Sequence, residues 1–381
     1  LAAQTWRRIV TKLFERRLTP ADSPIAIFCR TAAAFLAAMF ITAFLFQLYG
    51  ASPLQAYFAL FHEPFATLRG FGYTLLRASP LALIALGTIV SWRSGFSYLG
   101  FEGCFVIGAS AVSWLALSTS PGARIGPLPF FLFLIVAILF GFTAGGIWAA
   151  LVGLIRARLS GNEVLISLMS NYVAIFFLQY LVSGPLRAPG SQPETKLLPR
   201  ATWLPFILPG TRAHAGILIA IAAAGLVWML LQKMPLGYEL IVTGFNRSAA
   251  RYAGIDVRRR LVLAAFFAGG LGGLAGMVEV LGSQHRLMDG ISGGVGFVGI
   301  IVALLARLNP VAVIPTALLY GGMSVGADAM QRRASIPSSI TFIVQSLAVL
   351  LVLAIDALRY YKINISIFSS AAPPAAEERP K

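Results

Sequence analysis

The chain has 381 residues, of which 58% are hydrophobic and only 12% charged, with a mean hydropathy of +0.80. Soluble globular domains carry about a quarter charged residues, which excludes a soluble enzyme. The 30 Lys and Arg against 14 Asp and Glu give a formal charge of +16. No basic stretch is interleaved with exposed aromatics, and the positive charge sits in short segments between apolar runs, the distribution of loops facing an anionic leaflet rather than of a nucleic-acid binder.

A helix needs about 20 apolar residues to cross the hydrocarbon core. After a basic segment, WRRIVTKLFERR, within residues 1–29, ten such runs follow. They lie near 30–49, 74–92, 97–118, 127–154, 163–183, 214–231, 261–281, 293–307, 311–329 and 338–358. The third, eighth and ninth are short or broken by glycine. The expected fold is an all-α polytopic bundle of about 10 spans (8–10), with a transmembrane domain over 30–362 and a tail over 363–381. With 1–29 in the cytoplasm, alternation brings Arg93, the run Arg156–Arg158, the loop Lys233–Arg260, Arg307, Arg359 and Lys362 to one face. This is the bias that the positive-inside rule requires, so both termini are expected in the cytoplasm. No signal-peptide layout precedes the first span, and the chain is expected to be held in a bacterial inner membrane by its own spans.

Two loops are long. The outer one, 184–214, is rich in proline, which disfavours regular helix and predicts a structured loop or lid. The cytoplasmic one, 232–260, contains SAARYAGI, whose alanines predict a short helix ending near Gly254. WRSGFSYLGFEG, from Trp92, and MDGISGGVGFVG, from Met288, are both glycine-punctuated and follow a span. Such pairs in opposite orientation are the sequence pointer to inverted repeats with broken helices.

Cys29 and Cys104 have no metal spacing and read as small buried hydrophobes. No lysine follows a glycine, so no phosphate-cradling loop exists, and the three histidines, His62, His214 and His285, lie far apart. No catalytic or metal site is expected. The informative anomalies are Glu102, Glu279 and Asp328, carboxylates within apolar runs, where a charge costs about 3 kcal/mol at the bilayer centre. Each must face protein or water, either lining a polar path or proton relay or locking helices together. Asn171 could bind a solute or join helices. Gly141 with Gly145, and Gly272 with Gly276, have the spacing that lets helix backbones approach. In the cytoplasmic loop, a solvated basic stretch accounts for Arg258–Arg260 but not for Ala249, Ala250, Tyr252 and Ile255, which look buried and suggest a docking helix.

These residues carry a resemblance. The stretch from Gly237 to Ile255, with Gly237, Tyr238, Glu239, Gly244, Asn246, Ala249, Ala250, Tyr252, Gly254 and Ile255, resembles the coupling helix of inner-membrane permeases of ATP-binding-cassette importers. The branch is the nucleoside and simple-sugar permeases, akin to branched-chain amino acid permeases. SGNEVLISLMSNY, GPLRAPG, LPGTRAHAG, the stretch from LAGMVEV to LNPVAV, and GADAMQR also match, so the resemblance spans roughly Leu68 to Tyr361. Where the family commonly reads FNIGAEGQ, this chain reads SYLGFEGC, with Tyr98, Phe101 and Cys104 as departures; Ile241 and Arg247 depart in the coupling stretch.

The resemblance implies a permease subunit without enzymatic activity, moving a nucleoside or, next, a simple sugar. ATP and Mg would be bound by a separate ATP-binding subunit, and this chain would hold no cofactor. It also implies a second, different permease and an extracytoplasmic solute-binding protein as partners. ATPase coupling falls to Gly237, Glu239, Gly244, Asn246, Ala249, Ala250, Tyr252 and Gly254. The translocation path falls to Tyr98, Phe101, Glu102, Asn171, Glu279 and Asp328. A proton-coupled secondary transporter using the three carboxylates is the alternative.

Overall fold

The computed structural model describes residues 52–334 apart from 120–124, 127 and 160, together with 14–16, 361–363 and scattered positions between 36 and 50 and between 343 and 350. Contacts divide the chain into one unit of 1–50 with 342–381 and another of 51–341. In the first, β1 (Phe14–Arg16) pairs antiparallel with β2 (Tyr361–Ile363). The predicted spans 30–49 and 338–358 lie largely outside the described residues.

The second unit is helical, as expected. Its helices are α1 (Pro53–Ala66), α2 (Leu68–Arg93), α3 (Phe101–Ser118), α4 (Phe130–Leu159), α5 (Glu163–Ser183) and α6 (Gly216–Lys233). There follow α7 (Pro235–Phe245), α8 (Arg247–Tyr252), α9 (Val257–Glu279), α10 (Val295–Leu305) and α11 (Pro310–Ala334). Among the described residues 7 helices are long and apolar enough to cross a membrane: α2 to α6, α9 and α11. They coincide with seven of the ten expected runs. The run at 293–307 is a correction. It forms only α10, of 11 residues, about 16 Å long at 1.5 Å per residue and too short to span. Gly290, Gly293 and Gly294 break it before Val295 with positive φ, and Arg307 and Leu308 turn left-handed after it. Helix α1 was not anticipated from the sequence.

Helix α9 lies at the centre, buried along most of its length. Its glycines let neighbouring backbones touch it: a Cβ on Gly273 would lie 2.2 Å from the Gly141 carbonyl oxygen of α4, and one on Gly276 would lie 2.0 Å from the Phe105 carbonyl oxygen of α3. The small-residue spacing noted in the sequence is therefore a packing device.

Two breaks position the rest. Helix α2 ends at Arg93, Gly95 turns at φ +72, and five residues lead to α3. Helix α9 runs into a π turn, Val280–Gln284, then His285 at φ 55 and a glycine-rich segment leading to α10. The N-termini of α3 and α10 abut, since a Cβ on Gly296 would sit 2.5 Å from the Glu102 amide nitrogen. The echo between the two glycine-punctuated segments thus corresponds to two broken elements that meet.

Candidate functional site

The stretch 235–256 is built from local stops and caps. Pro235 opens α7 at its first turn, where its missing N–H costs nothing. Asn246 then ends α7 and caps α8, its Oδ1 accepting from the amides of Ser248 (2.9 Å) and Ala249 (3.1 Å). Gly254, at φ +80, ends that turn, and Asp256 caps α9 through the amides of Arg258 and Arg259. The short helix predicted to end near Gly254 is α8, and α7 precedes it as a second helix.

The expected coupling residues fall into two groups. Gly237, Glu239, Gly244 and Ala250 hold the segment onto the spans, and Asn246 caps α8. A Cβ on Gly237 would meet the Leu230 carbonyl oxygen of α6 at 1.9 Å, and one on Gly244 the Arg93 carbonyl oxygen of α2 at 2.2 Å. Glu239 pairs with Arg260 of α9, and Ala250 is buried. Ala249, Tyr252 and Gly254 face outward instead, with Tyr252 98% and the neighbouring Phe245 88% exposed. Ala249 and Tyr252 looked buried in the sequence; here their apolar character belongs to an open surface.

The expected path residues also separate. Tyr98, Phe101, Glu102 and Asn171 are closed inside the bundle, Glu102 and Asn171 each 3% exposed. Asn171 of α5 bridges the break before α3: its Oδ1 accepts from the Gly103 amide (2.8 Å) and its Nδ2 donates to the Leu99 carbonyl (3.0 Å). Glu102 sits in the first turn of α3 beside the first turn of α10, where both helix dipoles favour negative charge. Its Oε2 is buried without a hydrogen-bond partner. The three departures form one cluster. The Tyr98 hydroxyl lies 3.0 Å from the Cys104 sulfur, and the Tyr98 and Phe101 rings meet edge-on at 5.1 Å. A Cβ on Gly87 would lie 2.9 Å from the Phe101 ring, so the bulkier residues fill space left by small neighbours.

Glu279 and Asp328 belong to a different place, where Asp328 is open and Glu279 is largely buried. Asp328 of α11 lies 3.7 Å from the Arg77 guanidinium of α2, with the two side chains 47% and 54% exposed. Glu279 accepts from the Gln284 side chain at 3.0 Å and interacts electrostatically with Arg77. Arg77 was missed in the sequence, although a guanidinium within the run 74–92 is as anomalous as the carboxylates that were weighed.

The proline-rich loop 184–214 is structured. The amides of Thr195, Leu198 and Leu204 donate to the carbonyls of Leu287, His285 and Leu281 at 2.9–3.0 Å. Glu194 pairs with Arg286 at 2.5 Å, and Trp203 stacks on His285 with ring centroids 3.7 Å apart. His214 is buried where the loop enters α6, its Nδ1 accepting from the Gly216 amide at 3.1 Å. Burial, and then the neighbouring His285, lower its pKa to about 4; burial also lowers that of His285.

Residues 70–354 match the family model described as the permease component of the branched-chain amino acid transport system. The chain belongs to this permease family. It is similar to the guanosine ABC transporter permease protein NupP of Bacillus subtilis, 32% identical over 82% of this chain and 88% of that protein. It is also similar to the glucose ABC transporter permease protein TsgB13 of Haloferax volcanii, 31% identical over 82% and 84%. The nucleoside ABC transporter permease protein NupB of Lactococcus lactis is 30% identical over 74% and 79%. The first two organisms each hold a second, more distant relative: NupQ, a guanosine permease, at 26% identity, and TsgC13, a putative glucose permease, at 25%. The chain is thus a permease subunit of an ABC transporter, and a multi-pass membrane protein.

Proposed function

We propose that this permease carries a nucleoside, or next a simple sugar, across a bacterial inner membrane as one half of a path shared with a second, different permease. The solutes named for NupP, NupB and TsgB13 support the substrate class, and the paired permeases of two organisms support the heterodimer. An extracytoplasmic binding protein delivers the solute, and a partner subunit binds ATP and Mg. The distribution of basic residues assigns both termini to the cytoplasm.

The observation that carries this reading is the surface of α8. Six residues long and capped at both ends, it is seated by Ala250 and turns Ala249 and Tyr252 outward. A partner that covers these residues can move α8 as a unit, and that motion biases the spans between two arrangements. In this mechanism the ATPase supplies the energy and the permease supplies the bistable element. The path is assigned to Arg77, Glu279 and Asp328 at its open part, with Tyr98, Phe101, Glu102 and Asn171 forming the closed part that must rearrange.

Affinity purification from native membranes in mild detergent, with mass spectrometry of the bound subunits, tests the reading. An ATP-binding subunit and a second permease are expected with the wild-type chain, and the ATP-binding subunit is expected to be lost from Ala249→Arg while the chain stays inserted. Uptake by the purified chain on a proton gradient without any ATPase is the result that would replace this reading with the secondary transporter.

A further inference from the structure

The α7–α8 segment touches the break between α2 and α3 at one tightly built place. Arg247, the first residue of α8, donates from Nη2 to the Gly95 carbonyl oxygen at 2.8 Å, across 152 residues of chain. Gly95 is the residue whose left-handed φ of +72 turns the chain out of α2. Gly244, at the end of α7, presses on the same turn: a Cβ on Gly95 would lie 2.9 Å from the Gly244 Cα. A hydrogen bond from a guanidinium to a carbonyl is charge-assisted, and the planar fork fixes its direction. The contact is therefore directional and has no slack.

Beyond Gly95 the chain is not helical. It runs through 96–100 to Phe101 and Glu102, where α3 and α10 abut. Only these five residues, folded by the Tyr98 amide donating to the Phe96 carbonyl at 2.8 Å, separate the turn at Gly95 from the junction of the two half-helices. The strip is held on its other side by α5: the Ser97 amide donates to Glu163 Oε1 (3.2 Å), the Leu99 amide to Ser167 Oγ (3.2 Å), and the Leu99 carbonyl accepts from Asn171. A pull on Gly95 is thus passed along a strip tethered by hydrogen bonds, with no loose loop to absorb it.

We infer that Arg247 is a positioning residue that ties α8 to the α2–α3 elbow, so that a displacement of α8 is delivered to the Glu102 junction. The inference rests on α8 being the helix that the ATP-binding subunit moves. Without the guanidinium, α8 still has its Asn246 cap and the buried Ala250, so it keeps its fold and its outward surface. What is lost is the directional hydrogen bond from α8 to the elbow, leaving only the van der Waals contact of Gly244 at the end of α7.

The test uses the full complex with its ATP-binding and second permease subunits, trapped with ATP and vanadate, and reads distances between spin labels. One label pair reports α8 (Ser248→Cys) and another the elbow (Ser97→Cys), each against Arg158→Cys on α4; all three positions are exposed. In the wild-type background both distances are expected to shift on trapping. In Arg247→Ala the α8 distance shifts as before while most of the elbow shift is lost, and Arg247→Lys, which keeps a cationic donor, restores part of it. An elbow shift as large in Arg247→Ala as in the wild type overturns the inference and leaves the coupling assignment intact. If the α8 distance fails to shift in the wild type, the coupling assignment itself is overturned, and the inference with it.

Discussion

Replacing Asn171 by leucine probes how the break before α3 is held. The Gly103 amide lies in the first turn of a helix, where no intrahelical carbonyl can reach it, and the Leu99 carbonyl precedes that helix. Asn171 satisfies both, at 2.8 and 3.0 Å, from a site 3% exposed. Asn171→Leu leaves two backbone groups without partners, at about 1–3 kcal/mol each. The added apolar burial returns about 1 kcal/mol, so the net loss is about 3 kcal/mol. The expected outcome is that much less unfolding free energy for the purified chain, titrated with denaturing detergent in mixed micelles and followed by tryptophan fluorescence. Tyr172→Leu, one residue along on the exposed side of α5, serves as the control and stays within about 0.5 kcal/mol. An Asn171→Leu chain as stable as that control would refute the claim that these two bonds hold the break.

Gly273→Ala should separate α9 from α4 and reduce the yield of monodisperse chain in size-exclusion chromatography, whereas Gly225→Ala, with no neighbour within 4 Å, should leave it unchanged. For His214 the folded pKa of about 4 lies below the free value of about 6.5, so the detached loop binds more protons between those two values. Loop attachment is fully present above about pH 6.5 and is lost as pH falls toward 4, with about 2 kcal/mol gone by pH 5. Protease cleavage within 184–214 should therefore quicken as pH falls over that range, and a flat profile in the wild-type chain would contradict it. Asp328→Asn or Arg77→Gln should lower solute uptake by about two- to fivefold, the scale of an exposed ion pair of about 0.5–1 kcal/mol. The exchange Arg77→Asp with Asp328→Arg should recover part of that loss, as read in membrane vesicles.

Much of the helical layout was legible because apolar run length is a direct consequence of bilayer thickness. The same criterion misjudged 293–307, where composition is apolar but left-handed residues at both ends confine the helix to α10. It also passed over α1, whose 14 residues carry His62, Glu63 and Pro64. The short helix α8 and its ends were legible from Asn246 and Gly254, since caps and stops are local. The orientation of Tyr252 was not, because a helix of six residues has too few turns for periodicity to tell which side is covered. The polar cluster was half-legible: Glu279 and Asp328 stood out as carboxylates in apolar runs, and Arg77 did not because basic residues were counted only as markers of sidedness. How Tyr98, Phe101 and Cys104 pack is a tertiary fact, set by Gly87 on α2 and by Gly269 and Gly272 on α9, the latter two far away in sequence.

The backbone contact between α9 and α4 restricts how these helices can move. Where side chains interdigitate, one helix can slip along another as rotamers change. Gly273 against Gly141 and Gly145 offers no rotamer to change: any axial slip would drive the backbone of one helix into the side chains flanking the glycines of the other. The pair can roll about its contact, but it cannot slide, so α9 and α4 travel together as a frame. Large displacement is then left to segments that lack such contacts, such as the run through Gly290 and Gly293, where a Cβ would meet nothing within 4 Å, a hinge beside a fixed axle.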